Sequence, residues 1–254
     1  GMHLNWPRMN LNKGPGAAPE ETQRENIEKE IQKVYSLFRE AKAYAETNHA
    51  GEKNLHLEAM KGLFSGSMRL YVHADPVKEI IAAVNFAKSS GIKKVVLVGG
   101  KDSWRVAPLL KENNIPVILG RLHSLPSREE EDVDISYKLP SLLRRSGVVF
   151  CLSMDGFWQV RNLPFNAGTA AGHGLTKEEA LAAITLDAAK ILGIDSTTGS
   201  IQQGKDATLI VSSGDILDMK SNAVEYAFIR GRQISLEDHQ KELYRRYKKK
   251  YGVK

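Results

Sequence analysis

The feature that most constrains this chain is one pattern, repeated. Four short apolar runs, "RLYVHA", "KKVVLVGG", "IPVILG" and "VVFCLSM", alternate with amphipathic segments between residues 69 and 154. The runs are apolar throughout instead of alternating with polar residues. Such strands are buried on both faces, as in a parallel sheet covered by helices. The spacing joins them by right-handed strand–helix–strand crossovers. The first crossover, "DPVKEIIAAVNFAKSSG", reads as a helix with Asp75 as N-cap, Pro76 at the first position and Gly91 as the stop.

The flanks read differently. Residues 1–19 have no periodicity and three prolines, and are expected to form an irregular arm. From residue 20 to 48, Ile27, Ile31, Val34, Phe38 and Ala41 recur at helical spacing. A shorter helix follows, capped by Asn54 and stopped by Gly66. After residue 156 come two helices, "NLPFNAGTAAGHG" and "TKEEALAAITLDAAKILG", the second opening on a capping box from Thr176 to Glu179. The division expected is an arm over 1–19, an α/β unit over 20–196, short β segments with Gly turns over 197–235 and a basic helix over 236–254.

A hydrophobic content of 42% in 254 residues supports a real core. The net charge of +6 is concentrated in the tail "HQKELYRRYKKKYGVK", without which the rest is near neutral. Cations at a helix C-terminus suit the helix dipole, so the tail reads as a solvated helix end. No RNA-binding motif or aromatic platform accompanies it, and no nucleic-acid partner is expected. Nor is a membrane partner, since no apolar run approaches spanning length. The compartment, cytoplasmic or periplasmic, stays open. Cys151, the single cysteine, excludes an intrachain disulfide and a cysteine-based zinc site. It reads as a small buried hydrophobe.

Candidate chemistry sits where the strands run out, because loops converge there in parallel α/β folds. His73 ends the first strand, either as a functional residue or as a histidine satisfying local backbone groups. Asp155 ends the last strand and could bind a metal, act as a base or cap the next helix. His123 and Arg121, after the third strand, could line the same mouth, as could Trp104, Phe157, Trp158 and Arg161. His173 reads as structural. "GGKD" could seat an anion at the start of the next helix. The acidic run "REEEDVD" lacks calcium-loop spacing and reads as a solvated loop.

The stretch "RNLPFNAGTAAGHGLTKEEALAAITLDAAKILGI", then "TGSIQQGKDATLIVSSGDIL" and "VEYAFIRGRQI", resembles the C-terminal part of the amidohydrolase superfamily. The branch it resembles most is that of imidazolonepropionase-like amidohydrolases. The resemblance implies an α/β fold: the C-terminal half of a (β/α)8 TIM-type barrel, strands five to eight, plus part of a small β-sandwich. It places "RLYVHA" fifth, "KKVVLVGG" sixth, "IPVILG" seventh and "VVFCLSMD" eighth. It implies hydrolysis of a C–N bond in a small or cyclic amide. In the family a metal is held by a His-x-His pair on strand one, a Lys or Glu on strand four, histidines on strands five and six, and an Asp on strand eight. By position, His73 matches the fifth-strand histidine and Asp155 the eighth-strand aspartate, as catalytic residues and as metal ligands. His123, Arg121, Trp158 and Arg161 are the expected substrate-binding residues.

The sixth-strand histidine should fall within Val98, Gly99 and Gly100, none of which binds metal, and the His-x-His pair has no counterpart. Zinc or another divalent metal is therefore expected in a complete enzyme, and weakly or not at all in this chain alone. Four strands also leave two unpaired edges. Something is expected to cover them: a missing N-terminal half, a partner chain or a homodimer. The alternative reading is an inactive remnant of the fold, kept for a binding or structural role.

Overall fold

The computed structural model describes residues 1–47 and 53–252. Asn48, the last residue read into the long first helix, and the final two residues of the basic tail lie outside that description. The fold is mixed α/β and TIM-barrel-like, built on a five-stranded parallel sheet in the order β1-β2-β3-β4-β5.

The four apolar runs form β2 (Leu70–Ala74), β3 (Val95–Gly99), β4 (Val117–Leu119) and β5 (Phe150–Leu152). The fifth strand corrects the reading of residues 1–19 as wholly irregular. β1 (Met2–Asn5) lies parallel to β2, with His3 opposite Tyr71 and Asn5 opposite His73. Edge strands with one face in solvent alternate instead of running apolar. Met2 and Leu4 turn toward the core while His3 and Asn5 are exposed. Beyond β1 the arm is tied down by Trp6, which is buried, and by the Met9 amide, which donates to Glu79 Oε1 at 2.9 Å.

Helices cover one face of the sheet. They are α1 (Glu20–Glu46), α2 (Leu55–Ser65), α3 (Val77–Ser90), α4 (Ala107–Glu112), α5 (Ile135–Arg145), α6 (Leu163–Gly172) and α7 (Lys177–Ile184). Leu70, Val72, Val117, Leu119, Phe150 and Leu152 from the strands meet Phe38, Ile80, Leu110, Leu143 and Ala167 from these helices. The opposite face is carried by Tyr71, Val96 and Cys151, against which Ile191 of α8 (Leu186–Leu192) packs.

The segment read as one helix from Thr176 is broken at Thr185, whose φ of −130° and ψ of −90° separate α7 from α8. The break lets α7 pack on the covered face and α8 reach the other. The Asn54 cap, the Gly66 stop and the Thr176–Glu179 capping box are all present. A three-stranded antiparallel sheet follows, β6 (Leu209–Ser212), β7 (Val224–Ile229) and β8 (Arg232–Ile234). α9 (His239–Tyr251) ends the description. Among the described residues no helix is long and apolar enough to cross a membrane.

Candidate functional site

Parallel strands deliver their last residues to one rim, and a cavity of about 500 Å³ opens at that rim beyond β3, β4 and β5. Asp75, Lys101, Arg121 and Asp155 contribute charged groups to its wall. Ser124, Ser127, Ser136 and Gln159 add neutral polar groups, and Trp104, Leu122, Ile135 and Leu139 an apolar side. The double glycine after β3 has a steric cause. Gly99 has φ +96°, and a Cβ there would lie 2.7 Å from Asp75 Oδ1. The same oxygen accepts the Lys101 amide at 3.1 Å.

Asp75 is therefore a cavity residue and not the N-cap of α3. Pro76 occupies the cap position, and the free Val77 amide donates to Asp102 Oδ2 at 3.1 Å. Asp102 of "GGKD" thus serves the start of α3, the helix that precedes it in the chain. The acidic run at 128–134 is not simply solvated either. Asp102 and Glu131, each 5% exposed, are gripped by Arg128. Burial alone would raise the Asp102 and Glu131 carboxyls, but the arginine hydrogen bonds outweigh it and hold both below the usual carboxylate range.

The structure separates the residues expected at one mouth. Asp155 and Arg121 line the cavity. His73 does not line it; its Nε2 is hydrogen-bonded to His3 Nδ1 at 2.8 Å on the open face of the sheet. Burial pushes the His73 imidazole below its ordinary value, His3 adds to the shift, and Asp75 opposes it. "IPVILGRLHS" stops being a strand at Leu119, so His123 lies in the following loop, exposed, with Nε2 2.7 Å from Thr169 Oγ1. Trp158 is exposed and sits under the Arg161 guanidinium at 5.5 Å, and neither lines the cavity. His173 makes a local contact, with Nδ1 2.8 Å from Thr169 O. Sequence reasoning named Asp75 only as a helix cap and Lys101 only within "GGKD", and it missed His3 and Gln159. The signal for Asp75 and Lys101 was their place just past strand ends; His3 and Gln159 offered none.

The donor set does not fit a catalytic zinc. Such a site takes three protein ligands. Among the described residues no three His, Cys, Asp or Glu side chains converge, and His73 Nε2 is engaged by His3.

A model of the amidohydrolase family matches residues 13–234. The chain belongs to the amidohydrolase family. It is 30% identical over 149 residues to the imidazolonepropionase of Shewanella oneidensis and 29% identical over 145 residues to that of Mesorhizobium japonicum. These matches cover 56% and 55% of this chain and 34% of each relative, so the chain matches only about a third of the relatives' length. An amidohydrolase from Thermotoga maritima superposes with a TM-score of 0.71 at 24% identity, covering 92% of this chain and 62% of that one. A prolidase complexed with N-methylphosphonate-L-proline does so with a TM-score of 0.54 at 18% identity, covering 74% and 51%. Both structures show likeness of fold.

Proposed function

We propose that the chain is the C-terminal portion of an amidohydrolase that hydrolyses a C–N bond in a small or cyclic amide. In this reading β2 to β5 are the fifth to eighth strands of a (β/α)8 barrel, and β6 to β8 belong to a small β-sandwich. The observation that carries it is Asp155. In a chain of this family, a carboxylate stands at the end of the last parallel strand on the wall of the rim cavity. Asp155 takes a proton from the water that adds to the amide carbonyl carbon. It returns that proton to the nitrogen as the C–N bond breaks. Lys101 and Arg121 orient the substrate from the same wall. His73, on β2 and separated from β5 by two strands, faces the barrel interior in this reading. A metal would need donors from outside this chain.

The open sheet face, with His3 and Asn5 exposed beside His73, supports a covering element. The remaining barrel strands, a partner chain or a second copy would supply it, and light scattering of the purified protein separates a dimer from a monomer. The test of function is release of amine or ammonia from a panel of linear and cyclic amides. Asp155→Asn is expected to lower kcat by about 10²–10⁴-fold while circular dichroism stays unchanged. A second reading, an inactive remnant with a binding role, is favoured by Gly99 and Gly100 standing where a metal-binding histidine would be. Absence of turnover on every amide, together with tight small-molecule binding in the cavity, would establish it.

A further inference from the structure

We propose that Arg128 is the positioning residue of the cavity, a latch that holds the β4–α5 loop, residues 120–134, in place as its wall. The inference concerns the shape of the cavity and holds whichever bond is broken there.

The loop supplies Arg121, Leu122, Ser124, Ser127 and Glu131 to the wall. Its beginning is anchored by packing: Leu122 is buried and its amide donates to Asn166 Oδ1 at 2.9 Å. Its middle has no such packing, since Leu125 is 83% exposed. What fixes the middle is charge. Arg128 Nη1 donates to Asp102 Oδ1 at 2.9 Å and Nη2 to Asp102 Oδ2 at 2.5 Å, a two-pronged grip on the turn after β3. Nη1 also donates to Glu131 Oε1 at 2.5 Å, which takes a further bond from Arg105 at 3.1 Å. Glu131 Oε2 accepts the Ser127 and Arg128 amides at 3.0 and 3.2 Å.

Every carboxylate oxygen of the two acids is thus occupied, and the two arginines balance the two acids. Removing Arg128 leaves a pair of nearly buried carboxylates without their main counter-charge, a costly state that loop opening relieves. Lysine cannot replace the two-pronged grip, because an ammonium is a point charge. The cluster also reaches Trp104, another residue of the lining, over whose ring the Arg105 guanidinium lies at 4.5 Å. Arg128 is thereby linked, through Glu131 and Arg105, to an aromatic part of the lining as well as to the polar loop.

The test is amide hydrogen exchange on the full chain, with acrylamide quenching of Trp104 in a Trp158→Phe background. Trp6, buried, gives a constant baseline. Arg128→Gln is expected to speed exchange across 120–134 by about 100-fold and to raise Trp104 quenching severalfold, with β2 and β3 amides unchanged. Arg128→Lys should recover part of both. Unchanged loop exchange in Arg128→Gln overturns the proposal, and so does a rise spread equally through β2 and β3. Should Arg128→Gln fail to fold, Glu131→Gln decides. It keeps the Asp102 grip and the Val77 cap, and is expected to give a smaller rise confined to the loop. No rise there overturns the proposal.

Discussion

The two faces of the parallel sheet are made by alternate residues of the same strands, yet they differ in kind. On one face Val72, Val117 and Phe150 are sealed beneath seven helices. On the other, only the portion under α8 is closed, over Tyr71, Val96 and Cys151, while His3 and Asn5 are exposed. The apolar runs are the same length for both faces, so the difference comes from what packs on them. The covered face provides the burial that stabilises the fold. The open face leaves His3 exposed and His73, Val98 and Ile118 only partly buried.

The largest expected effect contrasts the faces directly. Phe150→Ala, at a fully buried position on the covered face, should cost about 3–5 kcal/mol. Val98→Ala, half-buried on the open face, should cost about 1 kcal/mol or less. Urea denaturation of both variants measures the difference. A cost of about 2 kcal/mol or more at Val98 would mean that the open face is also sealed in solution, and would point to self-association.

Next in size is the boundary between the closed and open parts of the second face. Burial, and then the nearby Asp187 carboxylate, pushes the Cys151 thiol up to about 12, so it should resist alkylation in the folded protein. Ile191→Ala removes the α8 side chain packed there, at about 2–4 kcal/mol, and should make Cys151 labelling much faster. Rapid labelling without the substitution would show that α8 does not seal this patch. A smaller effect tests how α7 is held on the covered face by Ala180 and Ala183. Thr176→Ala should cost about 1 kcal/mol, because the Thr176 hydroxyl accepts the Glu179 amide at 3.2 Å.

Legibility in the sequence followed the same division. The strands β2 to β5 were readable because double-sided burial demands unbroken apolar runs, and the Asn54 and Thr176 caps because their spacing is local. β1 was not readable. It is four residues long, alternates, and owes its structure to β2, a partner about 68 residues away. The break at Thr185 has no proline or glycine to announce it. The ion cluster was misread for a related reason. A run of acids looks solvated until the partner from another loop is known, and Arg128 meets Asp102 across 26 positions. Of the site, Asp155 and Arg121 followed from strand order, whereas the His3–His73 pair required the unrecognised strand.

That pair gives the smallest and most local test of the open face. His3 Nδ1 and His73 Nε2 lie 2.8 Å apart, so one ring donates and the other accepts, and protonating both would set two cations side by side. His73 is already below its ordinary value of 6.5, through burial first and His3 second. Between its folded and unfolded pKa values the unfolded chain binds more protons, so His73 makes the fold less stable as pH falls through 6.5. Stability from this group is complete above that value and is lost progressively below it. His3→Ala removes the secondary cause but not the burial. The His73 titration, followed by NMR, should therefore move up toward 6.5 without passing it, and the acid-side loss of stability should shrink. Overshoot above 6.5 would mean that Asp75 outweighs burial once His3 is gone. An unmoved titration would mean that the two rings do not interact in solution, and that β1 leaves the sheet.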